Sequence, residues 1–170
     1  MIGSGTVIRI ACLAPLLAAA ACYESSEPLG RPEQGIVDAH LLGTWRCEDP
    51  ADVSKEVAHL VVVPFDRSQY YLEWHEDRKV ERYRAYSTQL QETTVFNVTE
   101  LKPAAAASTW MFLRAIPRRD GAFSLSVVNN DSVKSLKGPA ALSEIARRAG
   151  DDSLYKVWAV CMTENRRAEL

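Results

Sequence analysis

Between residues 41 and 163, apolar residues recur at every second position in short runs separated by turn residues. The run 41–47 reads as a strand, and 57–65 as another with apolar residues on both faces. In 69–75, Tyr70, Leu72 and Trp74 fall on one side and Gln69, Glu73 and His75 on the other. The runs 80–87, 93–101, 109–116, 122–128 and 154–163 continue the pattern. Pro117-Arg118-Arg119-Asp120-Gly121 between two of them is a hairpin turn signal. Period-two patterning with tight connections predicts a mainly β domain, a small antiparallel barrel of about eight strands. One segment breaks the period. In 139–149, Leu142, Ile145, Ala146 and Ala149 make a helical stripe, with Pro139 suited to the first turn and Arg147 and Arg148 at the negative end of the dipole. Gly150 suits a left-handed cap. A single helix in the C-terminal region must bury its stripe, so it is expected on the outside of the barrel.

The start of the chain is different. Residues 7–21 are apolar apart from Arg9 and end in four alanines. A basic start, a short apolar core and small residues at the end form the layout of an export signal. The stretch is short for a span of ~20 residues, and Pro15 interrupts a helix there. Leu16-Leu17-Ala18-Ala19-Ala20-Ala21-Cys22 resembles the lipobox of bacterial lipoproteins, with Ala19 where Leu is usual. The resemblance implies that 1–21 is a signal peptide and Cys22 the first mature residue. Its thiol would carry a diacylglyceryl group and its amine a palmitate-type acyl chain. Tyr23 follows, where an Asp would imply inner-membrane retention. The implied location is therefore the cell envelope, at the outer membrane, facing the periplasm or the cell surface. Residues 22–40 are polar, with Pro28, Gly30, Pro32 and Gly35. They read as a lipid-anchored flexible linker, with an end-to-end distance of about 25 Å. The barrel domain is expected over 41–165.

Charge narrows the partners. Twenty lysines and arginines stand against 22 aspartates and glutamates. With no basic block, nucleic acid is not an expected partner. On the lipobox resemblance, Cys12 would leave with the signal and Cys22 would be taken by lipid. Cys47 and Cys161 remain, in a compartment that permits oxidation. Cys47 shares a face with Leu41, Gly43 and Trp45, and Cys161 with Tyr155, Val157 and Ala159. If the two strands are neighbours, the sheet closes and a disulfide joins them; the alternative is two buried free thiols. The same alternation turns Trp158 outward beside Lys156, where packing under the helix would shelter it.

Gly43-Thr44-Trp45 resembles the Gly-x-Trp motif that opens the first strand of lipocalins. That resemblance implies an eight-stranded up-and-down barrel and a small apolar ligand. The helix here falls between the seventh and eighth strands, whereas theirs follows the eighth. Trp45, Trp74, Tyr83, Phe96 and Phe112 are the candidate lining of a cavity, or of a core filled by its own side chains. Nucleophile-elbow, zinc-protease, P-loop and dinucleotide motifs are absent from the sequence, so neither an enzyme nor a cofactor is expected. Trp74-His75-Glu76-Asp77 sits at a turn where solvated polar residues belong, which disfavours a metal site. Arg78, Lys79, Arg82 and Arg84 read as a solvated strand face balanced by Glu73, Glu76 and Glu81. Two function classes remain: a membrane-anchored module for a small apolar or lipid-like ligand, or a protein-interaction module, such as an inhibitor or an envelope assembly accessory.

Overall fold

The computed structural model describes residues 22–52, 54–102 and 108–163. The expected signal segment 1–21, residues 103–107 and the last two residues of the expected barrel domain lie outside them. Eight strands run in order: β1 (Gly43–Glu48), β2 (Ala58–Pro64), β3 (Tyr70–Glu76), β4 (Lys79–Leu90), β5 (Thr93–Glu100), β6 (Trp110–Pro117), β7 (Phe123–Val128) and β8 (Tyr155–Thr163). Each pairs antiparallel with the next and β8 pairs with β1, so the sheet is a closed barrel. Closure leaves no edge with unpaired backbone groups.

The period-two pattern sets what faces inward. Trp45, Leu60, Val62, Trp74, Ala85, Val98, Leu113, Leu125 and Val127 form the interior core. Tight hairpins join β2 to β3, β3 to β4, β4 to β5 and β6 to β7. Arg118 N–H donates to the Ala122 carbonyl at 2.9 Å, and Gly121 takes the positive φ of 73° the turn requires. Where the barrel closes, Cys47 lies directly opposite Cys161 in the ladder. The two are disulfide-bonded, with Cα atoms 4.0 Å apart. The expected bond and the expected meeting of first and last strands both hold.

The outer layer has its own core. Helix α1 (Asn130–Val133) and helix α2 (Pro139–Arg147) fill the connection from β7 to β8. Val133, Ile145 and Ala149 pack with Val95, Phe112, Val128 and Leu154 on the outside of the sheet. The buried stripe of α2 runs Ala141, Ile145, Ala149, one residue round from the predicted one, with Leu142 at its margin. Gly150 does not adopt a positive φ; at the other end of the helix Gly138, before Pro139, does, with φ 52°. The far end of the helix is held by Arg114 of β6, which donates to the Ala149 carbonyl and to Asp152 Oδ1, at 3.5 and 2.7 Å. Its guanidinium stacks 3.9 Å over the Tyr155 ring.

Residues 22–40, expected as a free linker, are laid along the barrel. Tyr23 N–H donates to the Val128 carbonyl, and Ser25 exchanges two backbone hydrogen bonds with Trp110, at 2.9 and 2.8 Å. This wedges the segment between the start of β6 and the end of β7. It then crosses the outside of β5 and β4. Buried Asn97 accepts from Leu29 N–H at 2.7 Å, and Tyr86 donates its hydroxyl to the Gly30 carbonyl at 2.8 Å. Finally Val37, Leu41 and Leu42 turn into the interior core at the barrel end where β1 begins. The two glycines that read as linker residues are contact residues. A Cβ on Gly30 would stand 2.4 Å from Thr88 Oγ1, and one on Gly35 2.4 Å from the Ser68 carbonyl. We call residues 22–42 the strap.

Candidate functional site: an apolar cavity with Cys22 in its wall

Inside the barrel lies a cavity of about 140 Å³. Its wall includes Leu60, Leu72, Trp74, Tyr83, Phe96, Val98, Met111, Leu113 and Leu125. The two phenols beside it spend their hydroxyls elsewhere. Tyr70 accepts from Asp38 N–H and donates to the Ile36 carbonyl, at 2.6 and 3.2 Å, which fixes the strap end. Tyr83 donates to Glu81 at 2.6 Å, and burial pushes its phenol well above the ordinary value. The cavity therefore offers shape and dispersion rather than hydrogen bonds. Its size is below the ~300–1,000 Å³ of drug-sized sites. It is close to the ~150 Å³ of an engineered apolar cavity that stays dry and takes up benzene. One ring, or the end of one chain, matches it.

The two ends differ. At one end stands Leu41, on the short 3₁₀ turn Ala39–Leu41. At the other stand Trp158 and Cys22. Trp158 stacks on Trp74, with ring centroids 4.5 Å apart. The expected outward position of Trp158 under the helix does not occur. The β7–β8 register pairs Leu125 with Ala159 and Ser126 with Val157, which leaves Trp158 as the extra residue of a bulge. A bulge re-aims its side chain, and this one turns the indole to the cavity mouth, 37 % exposed.

Of the five candidate lining residues, Trp74, Tyr83 and Phe96 are in the wall. Trp45 is in the interior core but does not line the cavity; it packs edge-to-face on the wall residue Phe123 at 4.6 Å and donates its indole N–H to the Leu41 carbonyl. Phe112 is on the opposite face, buried beneath the helices, because its neighbours Met111 and Leu113 point inward. Met111, Leu72 and Cys22 also belong to the wall, beyond the expected aromatic residues. Leu72 was legible from the strand alternation, whereas Cys22 was not, because its position depends on the strap.

Cys22 is half-buried and, among the described residues, is the cysteine outside the disulfide. An isolated β-bridge to Asn129 fixes its backbone. Burial, then the Glu24 carboxylate, push its thiol above the ordinary value, so it is a poor free nucleophile. The polar clusters are satisfied locally. His75 and Arg82 both meet Glu73, at 3.0 and 3.2 Å. Lys79 pairs with Glu81, and Arg84 lies over the Phe65 ring. No group of three or more potential metal ligands occurs among the described residues. Likewise, no helix among them is long and apolar enough to cross a membrane. No protein-family model, curated protein or solved structure matches this chain.

Proposed function

We propose that the protein is an envelope lipoprotein, anchored through Cys22, whose barrel holds a small apolar or lipid-like group at the membrane surface. The observation that carries this reading is the place of Cys22 in the wall of an otherwise apolar cavity. Under it, the anchor and the binding site are one feature, and the strap keeps the mouth within reach of the bilayer. The lipobox resemblance of residues 16–22 supports the anchor, and the outer membrane is its implied location. A protein-interaction role is the second reading. Two observations favour it: the cavity is small, and Ile36 and Phe65 are 76 % and 52 % exposed.

The test uses the mature chain from Cys22 onward, oxidised and unacylated, titrated with cis-parinaric acid. The polyene accepts energy from tryptophan, and Trp74 and Trp158 stand at the mouth. Saturable transfer at one equivalent is expected. Absence of saturable transfer in the folded, oxidised chain would reject the cavity as a binding site.

A further inference from the structure

We propose that the cavity seats the end of one hydrocarbon chain borne by Cys22 itself, so that the barrel's resident ligand is its own anchor. This rests on the reading of Cys22 as the lipid-bearing residue. Three observations lead to it. First, Cys22 is part of the cavity wall, at the end opposite Leu41. Any chain on its sulfur starts at the mouth. Second, Cys22 is not free to swing away. Its bridge to Asn129, the Tyr23–Val128 hydrogen bond and the Ser25–Trp110 pair hold it at the junction of β6 and β7. Third, the wall residues Leu72, Phe96, Val98, Met111 and Leu113 belong to a cavity of about 140 Å³ and offer a chain end no polar partner.

Tethering makes the binding intramolecular, so the chain competes with any free ligand at high effective concentration. A free apolar ligand then enters by displacing the anchor's own chain into the bilayer. That couples the cavity's occupancy to how many chains hold the protein in the membrane.

The experiment compares two forms: the chain extracted from membranes into nanodiscs, and the unacylated mature chain. Intact mass first establishes whether Cys22 is acylated. The expected result is that cis-parinaric acid binds the unacylated form and not the acylated one. Nuclear Overhauser contacts from acyl methylenes to the Met111 methyl should then appear in the acylated form. Equal probe binding by both forms, or contacts to Met111 from bilayer lipid alone, would overturn the self-seating while leaving the cavity as a binding site. Failure of the unacylated form to bind would overturn the proposed function and this inference together. An unmodified Cys22 would remove the lipid premise itself.

Discussion

At the scale of single residues, position relative to the sheet decides role more than residue type does. Phe96 and Phe112 are both aromatic and both on adjacent strands, yet one lines the cavity and the other is buried under the helices. The prediction separates them. Phe112→Ala should cost about 3–5 kcal/mol in denaturant unfolding and leave the affinity for cis-parinaric acid unchanged. Loss of probe binding at unchanged stability would contradict the assignment. The sequence around β6 could not choose between these faces, because Met111, Phe112 and Leu113 are all apolar and alternation carries no information there. Asp151 gives a second test. Hydrogen bonds from Ser153 and a pair with Arg148 hold its carboxyl down at about 2. A depressed folded value means its contribution is present above the ordinary carboxylate range and is lost as pH falls from about 4 towards 2. A carboxyl chemical-shift titration should find its midpoint near 2, with loosening of the Ser153 amide in the same window. A midpoint near the ordinary value of 3.8 would show that the turn after α2 is not held this way.

At the scale of elements, the strands were legible and the strap was not. Alternating runs, most of them bounded by Gly, Pro or Asp, mark each strand to within a few residues, since sheet burial is written locally. The strap's partners are remote: Gly30 meets Thr88 and Gly35 meets Ser68. A glycine that allows close approach and one that gives a linker its freedom look alike in a polar stretch. Trp158 escaped the pattern for a related reason. A bulge shifts the period by one, and nothing in the β8 run signals it. The strap can be probed at Gly35. Gly35→Ala places a methyl against a backbone carbonyl that cannot step aside. It is expected to lift the strap, exposing the 26–36 region to limited proteolysis while the barrel fragment stays intact. Protease resistance equal to that of the unchanged chain would mean that the strap tolerates the substitution and is not held flush there.

At the scale of the whole molecule, closure is the organising event. The β1–β8 ladder brings together residues separated by 114 positions, and the Cys47–Cys161 bond holds them in register. In the chain-entropy model a bond over this separation contributes ~4–5 kcal/mol. Cys47→Ser is therefore expected to lower unfolding stability by about 2–5 kcal/mol, and it leaves Cys161 able to link chains in non-reducing gels. A stability unchanged by the substitution would show that closure depends on the ladder alone. The bond was readable in advance because each cysteine falls on the inward side of its strand. The helix between β7 and β8 was readable as well, and it covers the outer face that β5, β6 and β7 leave apolar.

In the proposed function that barrel is joined to the membrane through one atom, the sulfur of Cys22. Intact-mass and N-terminal peptide mass spectrometry of the chain recovered from bacterial membranes tests this most directly. The predicted result is a mature protein that begins at Cys22, with a diacylglyceryl group on the thiol and an acyl chain on the amine. A chain that begins elsewhere, or a Cys22 with an unmodified thiol, would contradict it.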